Sequence, residues 1–233
     1  MQLVLPVSQV SEKSFDNLVM GQNALLVHQL HQAVDALVDS KQTKIIFVHG
    51  NSGVGKTHLS LAISELCHQQ NISARYLDMD MLVTLPVGVL DDVSVNQCIC
   101  FDNIHSLSQS ADWQRMVFDI INQCIEKAPR CLVFTSKHSV NQLDLSLPDL
   151  ASRLTWGLTF KMLELSDADK AKAMQSLARE KGMEASEEVI EFILKRSNRS
   201  MHEIEKTIEC LDRASLLHQR KLTIPFVKET LAL

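Results

Sequence analysis

The segment Gly50–Thr57, with the sequence GNSGVGKT, constrains the fold of this chain more than any other. It fits the pattern G-x-x-x-x-G-K-[ST], the phosphate-binding P-loop. The glycines let the backbone curl so that its N–H groups point at phosphate oxygens. Lys56 brings a positive charge to the outer phosphates, and the hydroxyl of Thr57 is placed to ligate Mg²⁺. An ordinary glycine-rich turn has no need of Lys-Thr after its last glycine, so the motif predicts a nucleotide site.

The residues on either side of the loop support this interpretation. Residues 43–49 form a near-continuous apolar run, which is typical of a buried parallel strand. After the loop, Leu59, Ala62, Ile63 and Leu66 recur at helical spacing. Strand, glycine-rich loop and helix therefore follow one another in the order that a P-loop requires.

Further apolar runs predict the rest of an α/β core. Segments of strand character alternate with amphipathic helices, which favours a parallel sheet flanked by helices. From Ser166 onward the chain is helical, with Ser166 and Ser200 placed as N-caps. We therefore predict an α/β P-loop core with a C-terminal helical lid. The predicted strands after the first are 73–78, 96–103, 131–136 and 158–162, and the predicted units are a tail 1–12, a core 13–164 and a lid 165–233.

Asp102 ends a buried apolar run 45 residues after Thr57. A carboxylate at the end of a strand beside a P-loop holds Mg²⁺, and the alternative is an acid that only turns the chain. Asn103 follows it, and an amide cannot accept a proton as a general base, so we expect slow hydrolysis by this chain alone. Thr135 would point toward the γ-phosphate if its strand lies beside that of Asp102; otherwise it is an ordinary polar strand end.

Composition excludes several classes of protein. With 23 Lys+Arg, 28 Asp+Glu and a net charge of −5, no part is strongly basic, and we do not expect a dedicated nucleic-acid domain. The 6 cysteines form no C-x-x-C pair, which suits a reducing cytosol. No apolar run has membrane-spanning length and the start lacks signal-peptide features, so we expect a cytoplasmic protein without membrane contact.

Three segments resemble the nucleotide-binding module of the AAA+ replication initiator DnaA. The initiator's C-terminal helix-turn-helix domain has no counterpart before Leu233. More narrowly, the chain is similar over its whole length to the Hda family, the regulatory inactivators of DnaA. Residues 15–21, 55–59 and 152–158 resemble DnaA, and residues 147–154, 211–215 and 220–229 resemble the Hda family most specifically.

The resemblance implies a negative regulator of DNA replication initiation. Bound to the DNA-loaded β sliding clamp, such a protein promotes hydrolysis of the ATP held by DnaA, and Arg153 matches its arginine finger. The resemblance further implies bound ADP, with Mg²⁺ at Thr57 and Asp102. It also implies no strong direct binding to DNA, and it leaves open whether the protein forms homo-oligomers. On residues alone the N-terminus is a tail or a strand; by resemblance its clamp-binding residues are Gln2, Leu3, Leu5 and Pro6.

The resemblance also implies which residues surround the nucleotide. His202 aligns with the lid arginine of the initiator, although Arg199 lies nearby, and Lys137 stands where the initiator has Asp. With Asn103, these differences predict that the chain holds its nucleotide and hydrolyses it little. The predicted nucleotide-binding residues are Gly50, Ser52, Gly53, Val54, Gly55, Lys56, Thr57, His58, Phe15, Leu18, Val19, Thr135 and His202.

Two other functions compete with this interpretation. An AAA+ helicase loader would hold a replicative helicase through an N-terminal extension and contact single-stranded DNA. The acidic core and the short N-terminus argue against it. A P-loop kinase of small molecules would need a catalytic acid and an acceptor pocket, of which the helical C-terminal third gives no sign.

Overall fold

The computed structural model describes the chain in five stretches. The predicted clamp-binding residues Gln2, Leu3, Leu5 and Pro6 lie outside them, and so does Arg199. The described stretches are residues 13–39, 42–90, 92–127, 129–196 and 200–232.

A parallel sheet forms the centre of the molecule. Its three central strands are buried because helices cover both faces, so they lack the alternation of a half-exposed sheet. In the described residues the sheet has five strands in the order β2-β3-β4-β1-β5, all parallel. The predicted fold class is thereby confirmed. The strands are β1 (Lys44–His49), β2 (Ala74–Asp78), β3 (Cys98–Asp102), β4 (Cys131–Ser136) and β5 (Leu158–Lys161).

Two hydrophobic clusters cover the two faces of the sheet. Successive strand residues point to opposite faces. Phe47 and Phe101 therefore belong to one cluster, and Ile46 and Cys100 belong to the other. All four side chains are almost completely buried. The helices of the core are α1 (Ala24–Asp39), α2 (Lys56–Gln69), α3 (Met79–Leu82), α4 (Ala111–Lys127) and α5 (Pro148–Leu154).

The carboxyl edge of the sheet gathers the polar strand ends. Parallel strands all end at the same edge, so the loop after β1, Asp102 at the end of β3 and Thr135 in β4 become neighbours. β4 lies between β1 and β3 in the sheet, which places Thr135 beside Asp102. This strand order brings the motifs of the sequence to one place.

The helical lid follows β5 and has its own hydrophobic cluster, drawn from its helices and the segments between them. Hydroxyl N-caps begin all four of its described helices: a backbone N–H three residues later is accepted by the Oγ of Ser166, Ser186 and Ser200 and by the Oγ1 of Thr223. The predicted boundaries between tail, core and lid stay a prediction. The lid helices are α6 (Asp167–Glu180), α7 (Glu187–Arg196), α8 (Met201–His218) and α9 (Ile224–Leu231).

Polar contacts join the lid side of the molecule to the core. Lys13 Nζ lies 3.2 Å from Glu205 Oε1 on α8. In the connection between β5 and α6, the backbone of Leu163 is held by the side chain of Asn23 through two hydrogen bonds of 2.9 and 2.8 Å. These contacts fix where the connection leaves the core, and therefore where the lid begins.

The cysteines are free thiols. Cys210 on α8 is exposed, whereas the other five are buried in the core clusters, where a free thiol packs as a small apolar group. None of the helices in the described stretches is both long enough and apolar enough to span a bilayer.

Phe226 provides a test of the lid's separate core. Its side chain is 1% exposed, so replacing it with alanine should leave a cavity and lower the free energy of unfolding by about 3–5 kcal/mol. Leu217, in the same subdomain, is 79% exposed, and Leu217→Ala should change the value by less than about 0.5 kcal/mol. Urea denaturation followed by circular dichroism measures both. Equal effects of the two substitutions would contradict the packing described for the lid.

Candidate functional site

The P-loop curls between β1 and α2 in the way that its glycines allow. Gly53 and Gly55 have φ values of +77° and +103°, a backbone conformation that side chains with a Cβ rarely adopt. Lys56 is 6% exposed, and its Nζ donates to the carbonyl oxygens of Gly50 and Asn51, each at 2.7 Å. Burial lowers the pKa of Lys56, with Asp102 opposing this and Lys137 adding to it. Because neutral carbonyl groups do not cancel its charge, the buried ammonium of Lys56 is suited to bind the phosphates of a nucleotide.

Asp102 is the centre of a hydroxyl network at the carboxyl edge of the sheet. Its side chain is fully buried. The Thr57 hydroxyl donates to Oδ2 at 2.7 Å, the Tyr76 hydroxyl donates to the same oxygen at 2.9 Å, and the Thr135 hydroxyl donates to Oδ1. The structure therefore brings together the predicted residues Thr57, Asp102 and Thr135.

This network fits a divalent cation that is held largely by a nucleotide. Mg²⁺ takes oxygen ligands and in nucleotide sites uses one or two protein groups beside phosphate oxygens and water. Thr57 and Asp102 supply such oxygens in direct contact. In the described parts of the chain, no group of three or more His, Cys, Asp or Glu residues is arranged to hold a metal alone.

Asn103 takes a conformation that the sequence did not reveal. Its φ is +59°, in the left-handed region that asparagine tolerates better than most residues. Its Nδ2 donates to Asp78 Oδ1 at 3.1 Å, and its backbone N–H donates to Thr135 Oγ1 at 3.1 Å. The carboxamide thus ties the end of β3 to the end of β2. It offers no base to a water molecule at this position.

His58 ties the segment before α1 to the helix after the P-loop. Its Nε2 lies 3.0 Å from both Ser14 O and Asn17 Oδ1. Asn17 Oδ1 also accepts the backbone N–H of Ser14 at 2.9 Å, so it acts as an acceptor and Nε2 carries the proton. Burial lowers the pKa of His58, although the bond to Ser14 opposes this. The predicted nucleotide-binding residues on the segment held in this way are Phe15, Leu18 and Val19.

A cleft of about 220 Å³ separates the P-loop from the lid. An added Cβ on Gly53 would lie 3.1 Å from the Cβ of Ser200, so α8 begins directly over the loop. His202 lies in the first turn of α8, but its side chain is exposed and does not line the cleft. Its nucleotide contact stays a prediction. The cleft is lined by Ser52, Gly53, Val54, Glu164, Leu165, Lys170, Ser200 and Met201.

Arg153 on α5 is held in a defined orientation on the surface of α4. Its Nε donates to Asn122 Oδ1 at 2.9 Å, and its guanidinium carbon lies 3.8 Å from the centre of the Trp156 ring. Phe118 lies on another side, with its ring centre 5.9 Å away. In the described residues nothing accepts a hydrogen bond from Nη1 or Nη2. The forked edge of the guanidinium therefore stays available.

The fold and the site together define a AAA+ P-loop module. The features that define it are the strand order, the P-loop, the buried carboxylate at a strand end and the helical lid. A family model described as the bacterial DnaA ATPase domain matches residues 10–161, and a model described as the lid domain of Hda matches residues 167–231. The chain belongs to the bacterial DnaA ATPase family and carries an Hda-type lid. It is an Hda-like, DnaA-related AAA+ protein, and these two matches support a regulator of replication initiation.

Solved structures agree on the fold. Domain III of the replication initiation protein DnaA from Thermotoga maritima has a TM-score of 0.80 at 17% identity, covering 95% of this chain and 96% of that one. AMPPCP-bound DnaA from Aquifex aeolicus has a TM-score of 0.72 at 22% identity, covering 89% and 66%. The Thermotoga maritima RuvB Holliday junction branch migration motor has a TM-score of 0.71 at 18% identity, covering 94% of this chain and 71% of that one.

Sequence reasoning missed two residues of this site. Tyr76 reaches Asp102 only because β2 pairs with β3 in a register that sets Asp78 beside Asp102, and no local pattern reveals that pairing. Lys170 reaches the cleft only because the lid lies over the loop. The one sequence signal that could have drawn attention to Tyr76 was the neighbouring predicted strand, which ends in the acid Asp102.

Ionisation of Tyr76 gives a test of the network. Burial, and then the charge of Asp102, raises the pKa of Tyr76. The folded state therefore keeps the proton above the ordinary pKa of about 10, where the unfolded state loses it, and stability should fall as pH rises beyond about 10. Because the chain has 1 tyrosine, ultraviolet titration of tyrosinate follows this group alone.

The expected result is that tyrosinate appears only together with loss of the circular dichroism signal. Tyr76→Phe is the control, and it should make stability less dependent on pH in this range. Reversible ionisation near pH 10 in a fully folded protein would show that the phenol is not held as described.

Proposed function

We propose that this protein is a negative regulator of DNA replication initiation that stimulates hydrolysis of DnaA-bound ATP through Arg153, supplied in trans. It acts in the cytoplasm, docked on the DNA-loaded β sliding clamp, without strong direct binding to DNA. The tail 1–12 binds the clamp, the core 13–164 and the lid 165–233 hold ADP with Mg²⁺, and the chain can form homo-oligomers. Membership of the DnaA family with an Hda-type lid supports the assignment.

The orientation of Arg153 is the observation that carries the proposal. A finger must present a cationic fork to the γ-phosphate region of another subunit, where it offsets charge in the transition state. Stacking on Trp156 and the Nε bond to Asn122 occupy one face and one edge of the guanidinium. What remains is the pair of Nη groups, the geometry that suits bidentate binding of phosphate oxygens. Trp156 itself is 60% exposed, so a partner can approach the pair.

The chain's own site is suited to holding a nucleotide. The phosphate cradle supplies binding, and Thr57 and Asp102 would hold Mg²⁺, which would offset the negative charge of the phosphates when a nucleotide is bound. The position after Asp102 carries Asn103, whose amide is bonded to Asp78 and cannot act as a base. This supports a bound ADP that sets the conformation of the chain while the hydrolysis occurs on DnaA.

Replacement of Arg153 tests the finger. Phosphate release is measured from ATP-loaded DnaA with DNA-loaded clamp and this protein. Arg153→Ala should lower the stimulated rate by about 10³-fold, toward the unstimulated rate, because the cationic fork is lost. Arg115→Ala, which removes an exposed arginine from α4, should leave the stimulation unchanged. Full stimulation by the Arg153→Ala variant would contradict the proposal that Arg153 acts in trans.

Substitutions in the tail test the clamp. Leu3→Ala combined with Leu5→Ala should abolish binding to immobilised clamp, since these leucines are the predicted apolar anchors of an extended peptide. Val4→Ala in the same tail should bind as wild type does. Absence of binding by the wild type would remove the clamp from the proposal, and the helicase-loader alternative would then be the next hypothesis.

A further inference from the structure

Lys170 occupies an unusual position for a lysine. It lies in the first turn of α6, is only 8% exposed and lines the cleft beside Ser52, Gly53 and Val54 of the P-loop. Lysine is almost never buried unless it is paired. Lys172, two residues further on, shows the ordinary arrangement: it is 73% exposed and lies 3.5 Å from Asp169. The burial of Lys170 therefore needs a cause.

The carboxylates near Lys170 bond to other groups. Glu164, which also lines the cleft, accepts from Asn51 Nδ2 at 2.9 Å. Asp169 accepts from the Ser166 hydroxyl at 2.7 Å and pairs with Lys172. Within the described part of the chain, no acceptor or carboxylate lies within bonding distance of the Lys170 ammonium. Its side chain is thus largely buried beside the P-loop while its ammonium has no protein counter-ion, an arrangement that a negatively charged ligand would stabilise.

Two other sources of positive potential face the same cleft. Helix α8 has 18 residues and Ser200 caps its N-terminus at the cleft, so the positive end of its dipole lies over the loop. The P-loop contributes its own backbone amides. An ammonium without a protein counter-ion, a helix N-terminus and a loop of amides around a cleft of about 220 Å³ together suit an anion, and phosphate is the anion that the P-loop motif selects.

We propose that Lys170 is a further nucleotide-binding residue, whose ammonium binds a phosphate oxygen of the nucleoside diphosphate or triphosphate held by the P-loop. The inference rests on the nucleotide binding in the proposed function. It assigns to α6 a contact between lid and phosphate, which the sequence led us to expect from His202 on α8. Because Lys170 belongs to the lid and the P-loop belongs to the core, the bound phosphate would also hold the lid against the loop.

Nucleotide affinity of the full chain tests the proposal. Isothermal titration with ADP compares the wild type with Lys170→Met, which keeps the apolar stem and removes the charge. Charge-assisted hydrogen bonds correspond to about 10-fold to 100-fold in affinity, so Lys170→Met should bind ADP at least about 10-fold more weakly. Its affinity should also depend less on salt concentration, because one ionic contact is lost. Lys170→Arg should retain most of the affinity.

Lys172→Met is the matched control. It removes a lysine from the same helix at an exposed position and should bind ADP as wild type does. Thermal unfolding without nucleotide should give Lys170→Met a Tm no lower than that of the wild type, which separates loss of a contact from loss of the fold. Adenosine, which lacks phosphate, should bind equally to the wild type and to Lys170→Met.

Two results would overturn the inference. Affinity of Lys170→Met for ADP within twofold of wild type means that the ammonium does not contact the nucleotide. Equal weakening for adenosine and ADP means that it contacts the sugar or the base. In either case Arg153→Ala can still abolish stimulation of DnaA, which would leave the proposed function standing. Failure of the wild type to bind ADP would instead contradict the nucleotide binding on which both rest.

Discussion

The buried carboxylate of Asp102 is the group on which the arrangement of the site depends. A charge without solvent contact is stable only when hydrogen bonds replace the lost water. Here the donors are hydroxyl groups from α2, β2 and β4, so satisfying one carboxylate fixes the relative positions of three elements. The P-loop helix carries one of these hydroxyls and therefore cannot shift along the sheet without exposing or orphaning Asp102. The nucleotide cradle is thus set by the sheet.

Two surfaces of the molecule present different chemical groups. At the carboxyl edge of the sheet, an amide stands where a base would activate water, and it is bonded to Asp78. On α5, an arginine is held with its fork open beside an exposed tryptophan. In the proposed function, the first surface retains the chain's own nucleotide and the second acts on the nucleotide held by DnaA.

Local patterns predicted most of the core correctly, and long-range geometry accounts for what they missed. The P-loop and the acid-ended strand are contiguous stretches whose residue types follow from backbone curvature and burial, so the sequence alone indicates them. Tyr76 depends on which strand lies beside β3, and Lys170 depends on how the lid meets the core. Neither arrangement leaves a periodic signal. His202, indicated by the resemblance to the initiator, has an exposed side chain, and its nucleotide contact stays a prediction.

The pair formed by Arg153 and Trp156 gives the molecule a built-in optical reporter. The chain has 2 tryptophans. Trp113 is 2% exposed, with its indole N–H bonded to the carbonyl of Leu85, so a partner on the surface does not contact it. Trp156 is largely exposed and lies against the guanidinium. Once Trp113 is replaced by phenylalanine, the remaining emission comes from the indole that touches Arg153, and docking at that arginine becomes visible without any attached dye.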